Sequence, residues 1–158
     1  MAKKNVTVFV VDYVGIDSFT EVLLNPTFHS PVEIDDYKTS ELKFVQQNSN
    51  GTLTGLFVTT QRKGLPPAHT PGEDDDFTAI PLDEGQGLAY PNTILYDPRT
   101  NTMYIETNRA GLNDKKICEY FKRHAIAQRV DQFSISLALV LKSEAYERVN
   151  NMVFIESM

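Results

Sequence analysis

The chain has no tryptophan and a single cysteine, Cys118. One thiol excludes an internal disulfide, and without a second cysteine there is no thiolate zinc cluster and no Cys-x-x-Cys redox pair. The three histidines, His29, His69 and His124, stand in unrelated contexts with no ligand spacing between them, so a histidine metal site has no basis in the pattern. No apolar run approaches the ~20 residues a membrane-spanning helix needs. Met1–Lys4 lead into Val6–Val11, too short for the core of an export signal and better read as a strand, so the expected location is the cytoplasm. Basic charge is in deficit too: 15 Lys and Arg stand against 21 Asp and Glu, a net charge of −6. That balance disfavours a broad electrostatic grip on nucleic acid. Gly-x-Ser-x-Gly, phosphate-loop and Cys-His patterns are missing as well.

What remains is ordinary globular material. With 158 residues, 41% hydrophobic and 23% charged, one domain with a real core is the default, its bulk supplied by nine Phe and seven Tyr. The chain reads as a single α+β domain over residues 1–158, either complete in itself or the N-terminal part of a longer protein. Val6–Val11 is nearly continuous and β-branched, the mark of a central strand buried on both faces. Ser18 is placed to cap a short helix carrying Phe19, Val22 and Leu23, which Pro26 ends. The mixed stretch from Thr27 to Ser40 reads as loop.

Two hairpins follow. Glu41–Gln47 and Thr52–Thr60 flank Asn48-Ser49-Asn50-Gly51, and Asn-Gly is a strong hairpin signal. Asn92–Tyr96 and Thr102–Thr107 flank Asp97-Pro98-Arg99-Thr100-Asn101, where Pro98 presets φ, Asp97 can accept from backbone amides, and Asn101 tolerates the left-handed closing position. Apolar residues fall on both faces of this second hairpin, so it is expected to be covered on both sides. Between the hairpins, residues 61–81 form a long, proline-rich segment with the acidic run Glu73–Asp76, expected to be a mobile acidic loop. Leu82–Leu88 holds Asp83, Glu84, Gly85 and Gly87, and its glycines suit a turn or bulge where the loop rejoins the sheet.

Gly111 marks a break, Asn113 is a good N-cap, and Ile117, Tyr120, Phe121 and His124 share one face of the helix that follows. Cys118 reads as a small buried hydrophobe on that helix. Phe133–Leu141 alternates large and small residues as a strand with one packed face. Ser143 would cap a last helix with Ala145, Tyr146 and Val149, and Val153-Phe154-Ile155 a closing strand. The expectation is an α+β domain: a mostly antiparallel sheet built from two hairpins plus N- and C-terminal strands, with two or three helices packed on one face.

The order of acidic glycine segment, Tyr-Asp-Pro-x-Thr-Asn turn at Tyr96–Asn101 and basic helix resembles a family of uncharacterised bacterial domains. Some members lie near mobile-element or antiviral-defence genes. The likeness covers roughly a quarter of the chain. It implies a bacterial or phage-encoded protein with a role in antiviral defence or its control, and it brings no catalytic residue with it.

The leading functional expectation is a non-catalytic protein-binding or self-assembly module that forms a homo-oligomer and uses no cofactor. Asp83, Glu84, Tyr96, Tyr104 and Arg109 are the candidate binding residues. A second reading is a metal-dependent nuclease or other hydrolase. There Asp97 and Glu106, facing each other across the hairpin, would hold Mg²⁺ with help from Arg109 and Lys116. Against it, the position where such nucleases carry an activating Lys is Asn108. A third is a small-molecule sensor with its pocket under the 61–81 loop. Lys115, Lys116, Lys122, Arg123 and Arg129 form a local basic patch that could touch nucleic acid, although a solvated helix face accounts for it more simply.

Overall fold

The structure, a computed structural model, describes residues 5–72, 77–130 and 132–140. The expected helix after Ser143, the closing strand at Val153–Ile155 and the acidic run Glu73–Asp76 lie outside the described residues.

Among the described residues seven strands form one antiparallel sheet: β1 (Val6–Val14), β2 (Val32–Asp35), β3 (Lys38–Gln47), β4 (Leu53–Gln61), β5 (Leu88–Asp97), β6 (Thr102–Glu106) and β7 (Ser134–Val140), in the order β2-β3-β4-β5-β6-β1-β7. Helix α1 (Phe19–Leu24) and a 3₁₀ turn (Pro26–Phe28) lie between β1 and β2, and helix α2 (Asp114–Ala127) lies between β6 and β7. The domain is α+β. The stretch from 27 to 40 is not a loop, because it contains the 3₁₀ turn, β2 and the start of β3. The second hairpin is also part of something larger. Leu53–Gln61 pairs along its length with Leu88–Tyr96, so β2 to β6 run as a continuous meander across the long intervening loop.

Turn chemistry follows the residues expected to carry it. Gly51 and Asn101 take positive φ (89° and 51°), and the Asp97 carboxylate accepts the Arg99 amide at 3.0 Å. Ser18 occupies the N-cap of α1 without a side-chain hydrogen bond, whereas Asn113 Oδ1 caps α2 by accepting from Lys116 N at 2.9 Å.

α2 touches both edge strands, β2 and β7, so the sheet curls into a half-barrel around it. The helix fills that curl with Ile117, Tyr120 and Phe121, each fully buried. Their rings meet Phe57 of β4 and Phe19 of α1 edge-on, at centroid separations of 5.2 Å for Phe57–Tyr120 and 5.3 Å for Phe19–Phe121. Such edge-to-face pairs contribute about 0.5–1.5 kcal/mol each beyond the area they bury. Cys118 is only half-buried, and partial burial pushes its thiol pKa up.

β1 departs from expectation. It lies between β6 and β7 with Phe9 and Val11 buried, but Val6, Val10 and Val14 on its outer side are 46%, 41% and 59% exposed. Among the described residues only the inner face of the sheet is lined by helices, so a β-branched run that reads as doubly buried is buried once.

Two polar contacts fasten the helix. The Tyr120 hydroxyl donates to Phe28 O and accepts from Leu42 N at 3.2 Å, joining α2 to the 3₁₀ turn and to β3. A turn later, the buried His124 ring donates from Nε2 to Ser30 O at 2.9 Å. Tyr120→Phe strands two buried backbone groups at once. It is expected to destabilise the fold by roughly 2–4 kcal/mol, measured as a fall in the urea midpoint with an unchanged slope. Desolvation lowers the His124 pKa below its ordinary 6.5, so the unfolded chain takes up the proton first. Stability from this group is therefore complete above pH 6.5 and is lost as pH falls from there through the lowered value. The urea midpoint should drop between pH 7 and pH 5 in the wild type (~2 pH units spanning the window) and vary less in His124→Gln.

Candidate functional site

The register of the β5–β6 hairpin decides the nuclease set. Asp97 pairs with Thr102 and Ile94 with Ile105, so Glu106 lies four residues beyond the partner of Asp97. At strand rise that is ~13 Å, too far to share one ion whose oxygen ligands lie within about 2.0–2.6 Å. The two acids do not face each other. Asp97 is engaged instead at the turn, where Arg99 Nε donates to it at 3.1 Å and holds its carboxyl below the usual range. Among the described residues, no group of three or more His, Cys, Asp or Glu is placed to hold a metal ion.

Glu106, Arg109 and Lys116 do come together. They line one cleft of about 510 Å³ where the ends of β1 and β6 meet the start of α2, over a floor that includes Phe9, Ile105 and Leu139. Lys116 is paired there with Asp35 of β2. The cleft owes its shape to Asn92, which is fully buried on β5. Its amide nitrogen donates to Glu106 O at 2.9 Å and its oxygen accepts Leu112 N at 2.8 Å, steering the chain off β6 and into α2. Gly111 permits that approach, because a Cβ there would lie 2.1 Å from Asn92 Oδ1. Sequence reasoning passed over Asn92 as the start of a strand; a polar amide at an inward position between apolar neighbours is the signal that could have marked it.

The candidate binding residues separate. Asp83 and Glu84 are exposed in a turn closed by Gln86 N donating to Asp83 O at 3.0 Å. Tyr96 is 1% exposed and belongs to the core, its hydroxyl donating to Asn101 Oδ1 at 2.6 Å and its pKa pushed up to about 12 mainly by burial. It therefore offers nothing to a partner. Arg109 is exposed on the cleft rim, and Tyr104 is on the outer face of the sheet, 39% exposed. Of the basic patch on α2, Arg123 pairs with Glu119 at 2.9 Å and Lys116 with Asp35, while Lys115, Lys122 and Arg129 are exposed.

The outer face is the feature that residue-by-residue reading understated. Val140, Val8, Tyr104 and Leu95 are consecutive partners across β7, β1, β6 and β5, one cross-strand row spanning ~14 Å. Ala138 and Val10 stand beside it in the neighbouring row, with Val6 and Val14 further along β1. An antiparallel sheet with a solvated face normally turns polar residues outward. This one does not.

Gly111→Ala should push Asn92 out of its two bonds and cost about 2 kcal/mol or more, read from the urea midpoint, while Gly51→Ala at an open turn should cost less. Compared with known proteins, the chain matches no family model, no curated protein and no solved structure.

Proposed function

We propose that the chain is a non-catalytic self-assembly module that pairs with a second copy of itself through the outer face of its sheet. The observation that carries this reading is the unbroken row Val140–Val8–Tyr104–Leu95, with Val6, Val10 and Val14 exposed around it. Contiguous exposed apolar surface of this kind marks interaction sites. Two such faces can stack with their strands nearly aligned, as the layers of a β-sandwich do. A two-fold axis through the row would set each tyrosine against the valines of the other copy, giving a closed, isologous pair. The resemblance to defence-associated bacterial domains extends the proposal to a bacterial or phage-encoded protein acting in antiviral defence or its control.

Light scattering across a concentration series tests it. The wild type is expected to be dimeric, and Tyr104→Glu or Val10→Glu to raise the dissociation constant at least ~10-fold, a change of about 1.4 kcal/mol. Both positions are exposed, so folding should persist in each variant. A wild type that stays monomeric at every concentration would overturn the reading.

A further inference from the structure

Where β3 begins and β4 ends, the sheet carries a different kind of site. Lys38, Arg62 and Lys63 line a cleft of about 350 Å³ with Tyr37, Thr39 and Glu33. The residues come from separate parts of the sequence and meet through strand register. Lys38 opens β3 directly opposite Gln61, the last residue of β4, and Arg62 and Lys63 follow it.

Local structure holds them there. The Arg62 amide donates to Tyr37 O at 3.1 Å, closing the edge of the sheet. Gln61 Nε2 donates to the carbonyls of Lys63 and Gly64 at 3.0 and 3.2 Å, fixing the turn that presents Lys63. Gly87, just before β5, lets the stem of Arg62 lie close: a Cβ there would be 3.0 Å from Arg62 Cγ and 2.6 Å from Gln61 O. Tyr37 is bulky yet holds φ at 65°, a conformation such residues rarely adopt. Its ring lies 5.7 Å from the Lys63 ammonium.

Acids outnumber bases overall; Lys43, Arg99, Lys116 and Arg123 each have a carboxylate partner, and Arg109, Lys115, Lys122 and Arg129 are exposed. Lys38, Arg62 and Lys63 make no ion pair among the described residues, and the one carboxylate lining their cleft is Glu33. Like charges held together in one concavity repel, and a multiply charged anion between them turns that repulsion into attraction. Arginine offers a planar fork that fits two phosphate oxygens, and lysines add point charges around it. A volume at the small end of the ligand-pocket range, which starts near ~300 Å³, suits a compact ligand.

We infer that this cleft binds a phosphorylated small molecule, with Lys38, Arg62 and Lys63 gripping its phosphate. The site lies at the foot of the long loop between β4 and β5, where a ligand would sit against the segment expected to carry a sensor's pocket.

The test is calorimetric titration of the full chain at fixed ionic strength with adenosine 5′-monophosphate, inorganic phosphate and adenosine. Both phosphate-bearing probes should saturate, and adenosine should not. If the monophosphate binds more tightly, the ligand is an organic phosphate ester and the inference stands; if inorganic phosphate binds as tightly or more tightly, the site is one for free phosphate and the phosphorylated-molecule reading is overturned. Arg62→Gln and Lys38→Gln should each weaken binding at least ~10-fold, while Lys122→Gln on α2 should leave it unchanged. Absence of saturation below ~10 mM would overturn the inference. So would an equal loss in Lys122→Gln, since that would reduce the effect to general charge. Oligomeric state is read separately, so failure here leaves the self-assembly proposal standing.

Discussion

The aromatic face of α2 in the curl of the sheet is the contact on which the other parts depend. Tyr120 sits at its centre with its ring edge-on to Phe57 and its hydroxyl shared between Leu42 N and Phe28 O. That one side chain joins the helix to the middle of the meander and to the turn that follows α1. The chain order makes the contact more consequential. The polypeptide leaves the sheet after β6, fills the curl as α2, and only then returns as β7 along the free side of β1. Asn92 and Gly111 direct that exit, so a buried amide and a missing Cβ decide where the helix begins.

Filling the curl this completely has a functional consequence. Phe19, Tyr96, Phe57, Tyr120 and Phe121 are all buried, and their rings interlock within about 5–6 Å of one another. The inner face is therefore committed to packing. Tyr96, which alternation alone offers as a binding residue, is consumed in locking Asn101 at its positive φ. What remains for recognition is the rim and the outer face, where Tyr104, one residue after the Tyr96 partner Met103, points the other way. A shift of a single position across the hairpin separates a core residue from a surface one.

Much of the local architecture was legible in the sequence, because turns and caps depend on residues close together in the chain. Asn101, Gly51, Asn113 and the buried stripe on α2 are of this kind. β2 was not, since four residues after a 3₁₀ turn carry no period of their own and become a strand only by pairing with β3. The expected pairing of Asp97 with Glu106 failed for a related reason: the tight turn sets the register, and it places Thr102 opposite Asp97. The double-sided apolar character of the second hairpin was visible, but alternation says which residues share a face and nothing about whether a second layer covers it. The basic cleft was hidden more deeply. A bulge between Lys43 and Gln46, with Phe44 at φ 55°, slips β3 against β4 by one residue, so counting outward from the Asn-Gly turn misplaces Lys38.

Around the β2–β3 turn, acid and base face different neighbours. Asp35, just before the β2–β3 turn, reaches toward α2 and pairs with Lys116, whereas Lys38, just after the same turn, lies beside Gln61 and the basic pair that follows it. The turn thus sorts its charges by side, acid toward the helix and base toward the loop. Tyr37 stands at the dividing point in its strained backbone conformation, and its carbonyl is fixed by the Arg62 amide. Strain of this kind persists only where surrounding contacts over-determine it, and it gathers at sites with a task. The Tyr37 carbonyl, held by the Arg62 amide, ties the turn before β3 to the basic pair that follows β4.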